Sequence, residues 1–171
     1  MRRWQWLAEK AREHDWKLGA ELGVKEGRTT EYLSAGGIAM IAVDLWQPQI
    51  DREQTYLDWD HEKYLRDFRA AVRGRDVTIL RMMTDDAAAV IEEMSLDFVF
   101  IDADHSYEGV KSDIEHWAPK VRPGGAICGH DYNWTGITDI KDYDWPGVRK
   151  AVDEAFTEVE EGPDKCWLAW K

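Results

Sequence analysis

Two short apolar runs, Phe98-Val99-Phe100-Ile101 and Ala126-Ile127-Cys128, each end abruptly in a polar cluster: Asp102-Ala103-Asp104-His105 after the first, His130-Asp131-Tyr132 after the second. Continuous apolar runs of this length suit strands buried on both faces, which belong to parallel sheets covered by helices. In an open sheet of that kind, ligands bind in the crevice outside the carboxyl ends of the strands. The two clusters therefore predict carboxylates and imidazoles gathered at one sheet edge. Two further runs sharpen this. Leu18 to Leu22 leads into the glycine-bearing turn Gly23-Val24-Lys25-Glu26-Gly27, and Ile38 to Val43 ends in Asp44.

Strand-like and helix-like patterns alternate along the chain, as expected for helices on both faces of a mostly parallel sheet. Trp4, Leu7, Ala8 and Ala11 recur at helical spacing before the first strand, and Tyr64, Leu65, Phe68, Ala71 and Val72 do so before a third strand over Val77 to Met82. A helix is expected over Ala87 to Met94. After the fourth strand, Tyr107, Val110, Ile114 and Trp117 mark a helix face that stops at Pro119, and Pro123-Gly124-Gly125 reads as a turn into the fifth strand. Pro146 opens a last helix, with Val148, Ala151, Val152, Ala155 and Phe156 on its apolar face. Thr157 to Glu161, Gly162-Pro163-Asp164 and Cys166 to Trp170 then read as a terminal hairpin. The predicted fold is α/β: a Rossmann-like, doubly wound, mostly parallel sheet closed by a C-terminal antiparallel hairpin.

The 171 residues fit one domain spanning 1–171. A formal net charge of -12 opposes binding to nucleic acid or anionic membranes, both of which need a positive field, and points to a small-molecule ligand. Cys128 and Cys166 lie in apolar, strand-like surroundings without CxxC spacing, as expected of reduced cytosolic thiols. Met1-Arg2-Arg3-Trp4-Gln5-Trp6 is not followed by an apolar leader segment, and no stretch approaches a membrane span. A cytosolic protein is expected. His116, Cys128 and Cys166 read as structural, His14 and His61 as surface residues. Two segments, Gln47 to Asp60 and Asn133 to Trp145, fit no regular element and leave the carboxyl ends of strands. Their Trp59, Trp134 and Trp145 suit either contact with an acceptor or the interface of a homodimer.

The glycine turn narrows the ligand. A dinucleotide fingerprint needs GxGxxG, but Glu21 holds the first glycine position and the pattern runs ExGxxxG through Gly23 and Gly27, which disfavours NAD. GxxxxGK[ST] is missing, so there is no phosphate cradle with its lysine. An acid before the turn suits a ligand carrying an ammonium group, and Asp44 is placed to accept from both hydroxyls of a ribose.

In this order, Glu21 to Thr30, Val43-Asp44, Phe100 to Tyr107 and Gly124 to Tyr132 resemble the class I S-adenosylmethionine-dependent methyltransferases, in particular the small-molecule O-methyltransferases of catechol, caffeoyl-CoA and macrocin type. The likeness covers nearly the whole domain. It implies that Glu21 and Gly23 flank the methionine part of the cofactor, with Gly27, Thr29 and Asp102 also in that site. Asp44 would hold the ribose, and Thr84 with Asp85 would border the adenine. Asp102 and Asp131 fall where that group places its divalent-metal carboxylates, and His130 becomes a third ligand. Two carboxylates suit Mg²⁺; a histidine ligand tilts the choice towards Mn²⁺. The catechol and caffeoyl-CoA enzymes carry a lysine three residues after the first metal aspartate; this chain has His105. They carry Asn after the second; this chain has Tyr132. The macrocin-like enzymes resemble it better at both points.

The chemistry implied is transfer of the cofactor's methyl group to an oxygen of a small hydroxylated acceptor. His105, with an ordinary pKa near 6.5, is the expected general base, against the alternative that it caps the helix starting near Ser106. Two other classes stay open: a metal-dependent hydrolase, which would need more histidines at metal spacing and leaves the glycine turn unexplained, and a cofactor-binding protein without turnover.

Overall fold

The computed structural model describes residues 1–47, 60–133 and 146–171. In chain order the elements are α1 (Arg3–Glu13), β1 (Leu18–Leu22), α2 (Arg28–Ala35), β2 (Ala39–Val43), α3 (His61–Ala71), β3 (Val77–Leu80), α4 (Thr84–Val90), β4 (Leu96–Ile101), α5 (Tyr107–Trp117), β5 (Val121–Gly129), α6 (Pro146–Ala155), β6 (Glu160–Glu161) and β7 (Trp167–Trp170). They form a seven-stranded sheet in the order β3-β2-β1-β4-β5-β7-β6. The first five of these strands run parallel; β7 pairs antiparallel with both β5 and β6. The expected doubly wound sheet and terminal hairpin are both present. Trp59, Trp134 and Trp145 lie outside the described residues.

Every residue of β4 is buried, as the apolar run Phe98 to Ile101 requires of a strand covered on both faces, and Asp97 within the strand is satisfied by the Lys17 and Leu18 amides and by Arg122. Val110, Ile114 and Trp117 of α5 and Val148, Ala151 and Val152 of α6 pack on one side of the sheet with Val99, Ile101 and Ile127. On the other side Leu7, Ala11 and Trp16 pack with Phe98, Phe100 and Cys128, and Trp16 stacks on Phe98 with ring centroids 4.8 Å apart. That second cluster fixes α1 across β4 and β5. Among the described residues no helix is long and apolar enough to cross a membrane.

Three local expectations shift. In α1 the deeply buried aromatic is Trp6, packed against Gly162, while Trp4 is half-buried. Helix α4 begins at Thr84 rather than Ala87 and ends at Val90. Acids are favoured in a first turn and disfavoured in a last one, so Asp85-Asp86 start the helix and Glu92-Glu93 fall beyond its end. Pro123-Gly124-Gly125 is part of β5, not a turn before it; pairing with β4 jumps from Leu96↔Val121 to Phe98↔Ala126, and the irregularity accommodates residues that a regular ladder rejects.

Candidate functional site

From β1 the chain builds outward to β2 and β3, then crosses back to β4 and β5, so the sheet reverses direction between β1 and β4. That reversal opens a crevice at the carboxyl edge. The ladder runs one residue past the strands and sets their ends side by side. Gly23 N donates to Val43 O at 2.9 Å, Asp102 N to Leu22 O at 2.8 Å and His130 N to Ile101 O at 3.1 Å. Gly23, with φ +81°, lies against the end of β4: a Cβ there would come within 2.1 Å of Asp102 O. The glycine is required both by its backbone angle and by that approach.

Asp44 shapes the glycine turn. Its Oδ2 accepts from Val24 N (2.9 Å) and Lys25 N (2.8 Å), and its Oδ1 from Trp46 N (2.7 Å). A carboxylate offers about four acceptor positions, so roughly one remains for a ligand, not the two hydroxyl contacts expected from sequence. Glu21 is also committed. It is buried, and its Oε2 accepts from Thr30 N at 2.9 Å and from the Thr30 hydroxyl. Burial pushes its carboxyl up to about 7 against those bonds. The side chain braces the first turn of α2 through Oε2, and Thr30, the buried neighbour of the expected Thr29, is its partner. Gly27, also expected at the cofactor, leaves room for a ring of α3: a Cβ would meet Phe68 Cδ2 at 2.0 Å.

The two polar clusters converge. His105 Nε2 lies 3.0 Å from Asp131 Oδ2 and 3.5 Å from Asp102 Oδ1. His130 Nδ1 lies 3.0 Å from Asp131 Oδ2 and 3.8 Å from Asp102 Oδ1. Asp131 adopts the left-handed conformation, φ 61°, rare outside glycine but tolerated by aspartate. Burial alone would lower the His105 imidazole, but Asp102 and Asp131 outweigh it and push it up to about 9. Burial would raise Asp131; His105 and His130 overcome that and hold its carboxyl well below the usual range. His105 is thus protonated at neutral pH, and an unshifted base near 6.5 is not what this environment makes. Nor is it a cap: Ser106 caps α5, its Oγ accepting from Gly109 N at 3.1 Å.

Among the described residues, Asp102, His105 and Asp131 offer ligand atoms all within 4.8 Å of one another. His130, the third ligand expected from sequence, falls outside that set, though its Nε2 is buried without a hydrogen-bond partner. Two carboxylates and an imidazole, beside an unsatisfied ring nitrogen, fit a small divalent cation. A cavity of about 10 Å³ between Asp102, His105, His130 and Trp167 has room for one water-sized group. The paired carboxylates do not by themselves demand an ion, because Arg3 Nη1 sits 3.1 Å from Asp102 Oδ2. No spacing pattern pointed to Arg3, which reaches the edge from α1.

Thr84 and Asp85 lie at the start of α4 and face α5. Thr84 O accepts from Trp117 Nε1 at 3.1 Å, and Asp85 Oδ1 accepts from Ser112 Oγ at 3.0 Å and lies 3.3 Å from His116 Nδ1. Asp85 is thereby tied to α5 while its side chain stays exposed.

A family model described as a methyltransferase domain matches residues 20–132, from β1 through the end of β5. No curated protein matches the chain in sequence. Several solved structures share the fold at low identity. An O-methyltransferase from Bacillus cereus in complex with SAH is 18% identical, with a TM-score of 0.69 over 99% of this chain and 80% of that one. The O-methyltransferase NovP is 18% identical, with a TM-score of 0.72 over 98% and 77%. The O-methyltransferase TomG from Streptomyces achromogenes, in complex with SAM, is 16% identical, with a TM-score of 0.66 over 98% and 78%.

Proposed function

Because the chain belongs to a family of methyltransferase domains, we propose that it transfers the methyl group of S-adenosylmethionine to a hydroxyl oxygen of a small molecule, at the crevice between β1 and β4. The observation that carries this reading is the contact of the glycine turn with Asp102 at the switch point, which sets a ligand loop directly beside the Asp102, His105 and Asp131 side chains. Those acids and the net charge of -12 favour a cationic, sulfonium-bearing ligand over a polyanion. Neighbours of the same fold are O-methyltransferases holding SAM or SAH.

The cofactor supplies an already activated methyl group, so the chain's own work is to hold it in line with the acceptor oxygen and exclude water. Gly23 gives close backbone approach, Asp44 offers its remaining acceptor position to one ribose hydroxyl, and Thr84 stands on the adenine side. Asp102 and Asp131, with the unpaired His130 Nε2 beside them, would hold Mg²⁺ or Mn²⁺, which when bound lowers the pKa of an acceptor hydroxyl, and His105 is left to take the proton. His105 accepts the acceptor's proton only when the two carboxylates are balanced by charge other than its own; Arg3 already supplies part of that balance at Asp102. Cys128 and Cys166 are free and buried, which supports a reduced, cytosolic setting.

Calorimetry with S-adenosylmethionine, adenosylhomocysteine and NAD, followed by methyl transfer to a panel of hydroxylated acceptors before and after chelation, tests the proposal. Binding of the first two, no binding of NAD, and methylation at oxygen that chelation abolishes and Mg²⁺ or Mn²⁺ restores are expected. Failure to bind adenosylhomocysteine overturns it; binding without transfer to any acceptor leaves a passive binder; transfer untouched by chelation removes the ion.

A further inference from the structure

Arg3 stands in the first turn of α1, where the helix dipole disfavours a cation, and no acidic residue accompanies it there. Its side chain is nonetheless only 25% exposed, with Nη1 3.1 Å from Asp102 Oδ2. Its Nε is buried with no hydrogen-bond partner. The helix that presents it is firmly seated: Trp6, Leu7 and Ala11 are buried, and Lys10 Nζ lies 2.6 Å from Glu160 Oε1. A locally unfavourable position, held by a rigid element and aimed at a site carboxylate, points to a role at that site rather than in the helix.

Asp102 divides its two oxygens. Oδ1 faces His105 and His130, while Oδ2 faces Arg3. We propose that Arg3 is the resident counter-ion of the centre formed by Asp102, His105 and Asp131, and that by occupying Asp102 Oδ2 it sets how tightly that centre holds a divalent cation. The proposal rests on the metal reading given above. Guanidinium keeps its charge at every accessible pH, so its opposition to a second cation is permanent unless the side chain moves away. In a partly buried site two like charges a few ångströms apart repel far more strongly than in water.

The test is Mn²⁺ binding to the full chain without cofactor or acceptor, followed by calorimetry and by the electron-spin signal of the bound ion. Wild type is compared with Arg3→Met and Arg3→Gln, which remove the charge, Arg3→Lys, which keeps it, and Asp102→Asn. Both neutral variants should bind Mn²⁺ at least about tenfold more tightly than wild type, with Arg3→Lys close to wild type and Asp102→Asn weaker. Having two neutral variants covers the loss of either one to misfolding. If wild type binds Mn²⁺ through Asp102 and neither neutral variant binds more tightly, or if Arg3→Lys gains as much as they do, the inference about Arg3 fails alone. If no variant binds Mn²⁺, or Asp102→Asn changes nothing, the metal reading fails and takes this inference with it.

Discussion

Replacing Asp44 by alanine separates what this carboxylate does for the protein from what it does for the ligand. In the folded chain it accepts from three backbone amides, those of Val24, Lys25 and Trp46. Hydrogen bonds to a charged group are worth roughly 1.5 to 3 kcal/mol each when buried, but Asp44 is only half-buried and water can replace the lost acceptor. A loss of roughly 1 to 3 kcal/mol of stability is therefore expected in total. The one acceptor position left for a ribose hydroxyl should contribute roughly 1.5 to 3 kcal/mol, a factor of about 10 to 100 in affinity for adenosylhomocysteine. Loosening of the glycine turn would also weaken binding, so affinity alone does not identify the contact. The discriminating measurement is a cycle: wild type and Asp44→Ala, each titrated with adenosylhomocysteine and with its 2′-deoxy and 3′-deoxy analogues. Wild type should lose affinity for one deoxy analogue, and the variant should show no such loss. Equal binding of all three ligands by wild type, or an undiminished affinity in Asp44→Ala, would refute the ribose contact and leave Asp44 as a brace of the turn.

His105 should remain protonated through neutral pH in the ligand-free protein, its ring signals in NMR titrating near 9. Since its native pKa lies above the unfolded value, its stabilising contribution is complete below about 6.5 and fades as pH rises through about 9; His105→Gln should therefore destabilise the protein at pH 7 and much less at pH 10. A ring titrating near 6.5 would contradict the distances to Asp102 and Asp131. Asp113, buried on α5, also makes the fold less stable as pH rises, but as a penalty: burial pushes its carboxyl up to about 7, so its charged form costs stability as pH rises from about 4 to about 7. Asp113→Asn should gain roughly 2 kcal/mol more over wild type at pH 8 than at pH 5.5 in denaturant unfolding, and a gain that does not vary with pH would count against it.

The parts of this structure legible in the sequence are those written locally. An apolar run that ends in a glycine turn or a polar cluster marks a buried strand and its carboxyl end, so β1, β2, β4 and β5 and the meeting of Asp102 with Asp131 follow from short windows. What failed was set by comparison between windows. Whether Trp4 or Trp6 faces inward depends on how α1 crosses β4 and β5, not on spacing alone, since both lie within one turn. Asp44 follows the last residue of β2 and Glu21 precedes the last residue of β1, and the sequence gives no sign that their carboxylates also accept from the amides and hydroxyl of the glycine turn and of α2, whose unpaired donors lie close by. Arg3 was invisible because nothing nearby in sequence announces Asp102 as its partner.

The same distinction bears on His105. Sequence places an imidazole three residues after Asp102 and implies a base near its ordinary pKa; the fold adds Asp131, and two carboxylates around one ring raise it to about 9. A lysine at that position, as in the catechol and caffeoyl-CoA enzymes, starts from an ordinary value near 10.4. The same pair of carboxylates would hold it higher still and keep it charged throughout the physiological range. Histidine starts about four units lower, so even here it lies within about two units of neutrality. Any positive charge brought to Asp102 or Asp131 in addition to Arg3, whether from a bound ion or the cofactor's sulfonium, weakens the carboxylates' hold on that proton and moves the ring back towards the range in which it can accept one. The protonation of this centre is therefore set jointly by the identity of its base and by how many positive charges share its two aspartates.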